Sequence, residues 1–453
     1  MPTMNATSAG ASTTSHAFKR RFMIRLVAVL LGGMFLDGYI LGIMGPVTNT
    51  VSDDLGLSSL AIGLVAAAPL FGIFVGAPLA GWATDKFGRK PMFLADIGLF
   101  VVASGLQVFV GSTDLFLTAA AQLFIVRFLM GIAIGGEYSI GWPLMSEFSP
   151  PRLRGRLIGL TLIAWYAGFM VAYAAGFILT EYTDLSWRLI LGSSTVLAVA
   201  IFFARLGLPE SPRWLWNKGR KDEARAVATS YMMESSELDD IQREQVKKGS
   251  FAQLFNKANW RATLFTSGFW FCAVTPYFAI ATFADSILHK YGLGGGLAGG
   301  VGLSALALLG VILTVLLIDR VGRRVLTVPP QWLCTVALAV IAIWVGAPPI
   351  IVLVLFLAFS FFNAMYTTLT GIYPVEIFPT EIRGIGTGFA TAASRIGAAL
   401  GTFLLPWAIT NLGSSVSMAI AAVIAGLGAA LSQWLAPETK GQSLCDTAGE
   451  VTH

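Results

Sequence analysis

The chain has 453 residues, 55% of them hydrophobic and only 12% charged, with a mean hydropathy of +0.73. So little polar surface excludes a water-soluble enzyme or binding module and makes a bilayer the solvent. The formal charge of +5 falls in short basic groups between long apolar runs, which is a topology pattern and not a nucleic-acid footprint, so no nucleic-acid partner is expected.

In chain order, residues 1–20 form a Ser/Thr/Ala/Gly-rich tail, expected to be cytosolic and disordered. KRRFMIR and a hydrophobic run without a small-residue cleavage site follow, which reads as a retained first helix. Apolar windows of about 20 residues place spans near 24–47, 60–82, 91–111, 115–140, 157–180, 189–208, 262–287, 297–318, 325–346, 349–372, 384–408 and 415–436. The expected fold is an all-α membrane protein of twelve transmembrane helices. A six-helix bundle covers 21–208, a polar linker with short helices 209–260, a second six-helix bundle 261–436 and a tail 437–453.

Loop cations sort sharply by side. Lys19, Arg20, Arg21, Arg25, Lys86, Arg89, Lys90, Arg152, Arg154, Arg156, Arg320, Arg323, Arg324, Arg383 and Lys440 fall on one face with the linker, and only Arg188 and Lys290 on the other. This predicts a multi-pass protein of the plasma (inner) membrane with both termini cytosolic. Cys272, Cys334 and Cys445 have no metal-site or disulfide spacing, and His16, His289 and His453 lie in tails and a loop. No catalytic set, metal or cofactor is therefore expected, and the chain is read as a monomer whose partners are lipid, protons and a small-molecule substrate.

Three motifs recur after roughly 230 residues: GWATDKFGRK around Asp85 as DRVGRR from Asp319, EFSPPRLRG from Glu147 as EIFPTEIRG from Glu376, and LPESPRW as APETKG. Two halves related by an axis along the membrane normal follow. GWATDKFGRK resembles the signature between the second and third helices of the major facilitator superfamily, and PESPRWL and PETKG resemble the sugar porter motifs that end each half. The resemblance covers the whole chain apart from its tails. It implies two bundles around a cavity that opens alternately to each side. It also implies a cytosolic charge network latching the outward-open state, made by Asp85, Arg89, Glu147, Arg154, Glu210 and Arg213 with Asp319, Arg323, Glu376, Arg383 and Glu438.

Sugar porters usually carry a Gln-Gln pair in the seventh helix, where this chain reads TSGFWFCAVTPYFAIATFADSIL. GIAIGGEYSIGW in helix four resembles the metabolite, phosphate and organic-acid proton symporter branches, as does DGY from Asp37, although Ile40 replaces the second Asp of that motif. SRIGA around Arg395 resembles niacin-like and organic-ion relatives. The resemblance thus implies proton-coupled import of a small organic acid or related anionic metabolite, with a sugar or polyol porter as the alternative.

A charge at bilayer depth costs at least about 2.5–3.5 kcal/mol, so each needs a partner or a wet cavity. Asp37, Asp96, Arg127, Glu137 and Arg395 qualify. At 1.5 Å per residue from the cytosolic anchors, Asp37 and Arg395 lie roughly 18 Å deep, Glu137 roughly 15 Å and Arg127 roughly 30 Å. Asp37 or Glu137 is the expected proton carrier, because their mutual repulsion and desolvation raise the proton affinity of one of the pair, while Arg127 lowers that of whichever it approaches. Asp96 is read as holding the loop signature together. Arg395 is the expected anion ligand, with Trp270, Tyr277, Asn363, Tyr366 and Tyr166 as further substrate-binding candidates.

Overall fold

The computed structural model describes residues 6–111, 117–148, 151–231, 250–291, 299–379 and 382–440. Among them twelve helical spans are long and apolar enough to cross a membrane. In the first half these are α1 (Ala17–Leu55), α2 (Ser59–Thr84), α3 (Arg89–Phe109), α4 (Ala119–Met145), α5 (Gly159–Tyr182) and α6 (Trp187–Arg205). In the second they are α7 (Trp260–Thr282), α8 (Gly300–Ile318), α9 (Arg323–Ile343), α10 (Pro349–Thr370), α11 (Ile385–Asn411) and α12 (Ser414–Leu435). An even number of spans brings both ends of the chain to one end of the bundle, called the terminal face below.

α1 runs well past the apolar window that predicts it. After a turn at Ile43 the helix resumes over Met44–Leu55, and Gly56, at φ 58°, ends it in the left-handed conformation. The extension carries Thr48, Asn49, Ser52, Asp53 and Asp54, so hydropathy drops while helix continues. Asp54 there accepts from Trp187 Nε1 (2.9 Å) and pairs with Arg188 (3.1 Å), tying the end of α1 to the start of α6. Among the described residues of the linker are two short helices, Pro212–Asn217 and Lys221–Tyr231. The first begins at a Ser211 cap with Pro at the first position. Tyr231 of the second packs on Phe22 of α1 at a ring separation of 4.6 Å.

The duplication is visible in the packing. In the first half α1 packs on α5 and α6, α2 on α4, and α3 on α4 and α6. Moving each label on by six gives the second half: α7 on α11 and α12, α8 on α10, and α9 on α10 and α12. The extensive contacts between halves are α2 with α11 and α5 with α8, again a pair exchanged by the same shift. Small residues permit the closest crossings. A Cβ on Gly38 of α1 would strike the Trp165 carbonyl, and one on Gly168 of α5 would strike that of Phe35. Gly38→Leu is therefore expected to cost about 1–3 kcal/mol or more by overpacking, read as a lower thermal midpoint of the purified protein and less monodisperse material.

Candidate functional site: a cavity between the halves and a buried charge nest

Between the halves lies a cavity of about 60 Å³, room for a few waters. The first half supplies Tyr138 and Trp142 of α4 and Trp165 and Tyr166 of α5, and the second supplies Trp270 and Tyr277 of α7, Thr367 of α10 and Arg395 of α11. The aromatic rings brace one another across the seam, with Tyr166 against Tyr277 at 5.9 Å and Trp165 against Phe278 at 5.9 Å. Arg395 is only 6% exposed. Its guanidinium lies 5.1 Å from the Tyr138 ring centroid, a cation–π distance. Its Nε has no hydrogen-bond partner, and neither do the indole Nε1 groups of Trp142 and Trp165. Among the described residues no carboxylate pairs with Arg395 and none lines the cavity. The lining therefore offers N–H donors, one cationic, in excess of strong acceptors, a composition that favours an acceptor-rich, anionic ligand.

Of the substrate-binding candidates, Arg395, Trp270, Tyr277 and Tyr166 line this cavity, whereas Asn363 and Tyr366 stand outside its lining. Asn363 Nδ2 donates to the Ala273 carbonyl (3.0 Å) and to Tyr366 Oη (2.6 Å), and its Oδ1 accepts from Thr367 (3.2 Å). The amide has thus found its partners within α10 and α7. Tyr366 packs on Phe269, 6.2 Å between rings. Both support a cavity wall.

A second polar cluster lies within the first half. Arg205, 1% exposed at the end of α6, pairs through Nη1 with Asp96 of α3 (3.3 Å) and through Nη2 with Glu137 of α4. Nη1 also donates to the Phe93 carbonyl (3.0 Å), and the guanidinium stacks on the Phe93 ring at 3.6 Å. Glycines make room: a Cβ on Gly33 of α1 would collide with Glu137 Oε1, and one on Gly136 with Asp96 Oδ1. Asp37 of α1 is 0% exposed, and neither of its carboxylate oxygens has a hydrogen-bond partner. Charge reaches it from Glu137, Asp96, Arg205 and Arg395.

Two expectations need correcting. Asp96 does not hold the loop signature; two turns into α3, it pairs with Arg205. Arg127 does not approach Asp37 or Glu137. It is 1% exposed, its Nε and Nη1 are unpartnered, and among the described residues no carboxylate forms an ion pair with it. It precedes Glu137 by about 15 Å of helix rise and nearly three turns, so the two point in different directions. Arg205 is the residue that reading the sequence missed. Placed in FFARLG just before LPESPRW, it reads as an interfacial anchor. The signal that finds it is the demand of two buried acids, Asp96 and Glu137, for a cation.

At the terminal face the repeated motifs form matching caps. Glu210 accepts from the backbone N–H of Arg89 (2.9 Å) and Lys90, at the start of α3. Glu438 accepts likewise from Arg323 (2.9 Å) and Arg324 (3.0 Å), at the start of α9. Gly88 (φ 110°) and Gly322 (φ 104°) precede those helices in a conformation closed to other residues. A Cβ at either would crowd the capping carboxylate. Arg323 also pairs with Glu376 (3.0 Å), which accepts from Thr439 as well. Arg89 and Arg213 are half-buried at this face. The side chains of Asp85, Glu147, Arg154, Asp319 and Arg383 lie outside the described residues.

Burial opposes the charge on Glu438, but backbone donors from Arg323, Arg324 and Lys440, with the Arg323 charge, outweigh it and hold this carboxyl below the usual Glu value of 4.5. The stability it contributes is complete above the unfolded-state value and is lost as pH falls through the depressed one. Glu438→Gln should thus lower the thermal midpoint at neutral pH and flatten its decline below about pH 4.5, as a thermal-shift series in pH would show.

Comparison with known proteins bears on the whole chain. The family model described as sugar (and other) transporter matches residues 24–448. The inner membrane metabolite transport protein YgcS of Escherichia coli (strain K12) is 35% identical over 431 residues, covering 95% of either chain. Among solved structures, the proton:xylose symporter XylE of E. coli superimposes with a TM-score of 0.76 at 20% identity, over 94% of this chain and 98% of that one. This likeness shows a shared fold: twelve helices in two pseudo-symmetric bundles.

Proposed function

This chain belongs to the sugar (and other) transporter family of the major facilitator superfamily, and from that premise we propose that it imports a small organic acid with protons by alternating access. It is a multi-pass membrane transporter; the terminal face is assigned to the cytosol from its basic loops. One observation carries the anionic reading: a buried, carboxylate-free Arg395 on the wall of a donor-rich cavity between the halves. A guanidinium there grips a carboxylate in two-pronged fashion, and the aromatic walls cover the rest of the ligand. Proton coupling is supported by Asp37, a buried carboxyl without a partner beside an acid-rich cluster, and by the fold shared with a proton:xylose symporter.

The second reading, a neutral sugar or polyol, is favoured by the family model and by that same xylose symporter. A competition panel in proteoliposomes, pairing sugar acids and short hydroxy acids with the corresponding neutral sugars and polyols, separates the two. Acids competing and neutral compounds failing supports the proposal, and the reverse rejects it. Trp142→Phe keeps an aromatic ring, though a smaller one, and removes one donor, so it should weaken binding of the winning ligand by about 0.5–1.5 kcal/mol, or roughly two- to tenfold, in a Trp-quenching titration.

A further inference from the structure

Three carboxyl groups and one guanidinium meet inside the first half. From α1 comes Asp37, from α3 Asp96, from α4 Glu137 with the neutral Tyr138 beside it, and from α6 Arg205; α11 brings Arg395 to the far side of Tyr138. Arg205 spends one nitrogen on Asp96 and another on Glu137, and its face on Phe93. That leaves one nitrogen, Nε, without a partner, and Asp37 without any. Three ionised acids, with Arg205 between two of them and Arg395 beyond Tyr138 as the cations that act on the third, would leave one negative charge uncompensated in a low-dielectric interior, which costs several kcal/mol. The arrangement therefore calls for one proton, and the carboxyl that no cation touches is the place for it.

Glu137 Oε1 is the one oxygen of the paired acids that is buried without a hydrogen bond, and it lies against Gly33. Gly33 and Asp37 are four residues apart and share one face of α1, so this oxygen lies about one turn from the Asp37 carboxyl, on the side toward the terminal face. Asp96 lies nearer that face again, two turns from the start of α3.

We propose that Arg205 is the positioning residue of the proton site: by holding Asp96 and Glu137 as carboxylates it makes Asp37 the carrier of the transported proton and keeps Glu137 Oε1 open to receive it. In the release step a water molecule entering between the two groups relays the proton: the Asp37 O–H bond breaks as the water accepts its proton, and the water gives up one of its own to form an O–H bond at Glu137 Oε1. Asp37 becomes a carboxylate, and Glu137, now neutral, loosens from Arg205. The proton then leaves past Asp96 toward the terminal face, away from the aromatic cavity that holds the substrate. This deepens the proton-coupling reading and rests on it, but its chemistry is measured without transport.

The test is pH-difference infrared spectroscopy of the full chain in lipid nanodiscs, without substrate, following the C=O stretch of protonated carboxyl groups. In the wild type one buried carboxyl signal titrates, and Asp37→Asn removes it. Arg205→Gln moves the titration up by about one to three pH units and adds signal from Glu137 or Asp96, while Arg205→Lys restores most of the wild-type curve. Asp96→Asn removes an acid and leaves Arg205 in place, so it moves the Asp37 titration down, and it serves if Arg205→Gln does not fold. An unmoved titration in folded Arg205→Gln or in Asp96→Asn, or a carboxyl signal that survives Asp37→Asn, overturns the proposal. Uptake insensitive to uncoupler alongside the predicted infrared shifts rejects the proton-coupling reading and leaves the assignment of Arg205 standing.

Discussion

Arg395→Ala is expected to reduce uptake of every anionic substrate by at least about tenfold, because each charge-assisted hydrogen bond it removes is worth about 1.5–3 kcal/mol. The loss should appear in KM, and in kcat to the extent that the same contact draws the halves together. The guanidinium makes no ion pair among the described residues, so the variant breaks no salt bridge and the protein should fold. Lys at this position keeps the charge but not the planar fork, and should recover only part of the activity. Uptake measured for wild type, Arg395→Lys and Arg395→Ala on one acid and its neutral analogue decides the matter. Equal rates for the acid in all three would exclude an anion site at this wall.

Asp37→Asn is expected to separate exchange from accumulation. The amide matches the protonated carboxyl in shape but can neither give up nor take on a proton. The carrier is then fixed in its loaded form: exchange of labelled for unlabelled substrate across the membrane continues, while uphill uptake driven by an inward proton gradient falls to the level seen with an uncoupler. Loss of both activities together would mean that Asp37 serves the fold or the substrate and not the proton.

Much of the architecture is legible in the sequence because lipid imposes it. Every span must satisfy its backbone internally and present apolar side chains, so hydropathy finds the helices and repeated loop motifs find the duplication. The places where it fails have a common cause. Depth along a helix can be counted, but the direction in which a side chain points depends on its neighbours. Depth alone groups Asp37 with Glu137 and sets Arg127 about 15 Å from them, and the ten residues between Arg127 and Glu137 also turn it to another direction. The true cation, Arg205, sits on α6, far along the chain from both of its partners. Asn363 was legible as a buried amide but not as one already satisfied, because its partners are a carbonyl of α7 and hydroxyls on its own helix.

The seam between the halves has a further implication. α2 meets α11 and α5 meets α8, and because α8 and α11 are the second-half copies of α2 and α5, both contacts join the same two surfaces in opposite order. A junction of that kind is isologous, as in a dimer with two-fold symmetry. One six-helix unit carrying those two surfaces would close on a second copy of itself, with nothing left over to recruit a third. The single polypeptide thus has the form of a two-fold homodimer whose two units are covalently joined. Covalent joining leaves the two units free to differ: the buried acids Asp37, Asp96 and Glu137 lie in one, and Arg395 lies in the other.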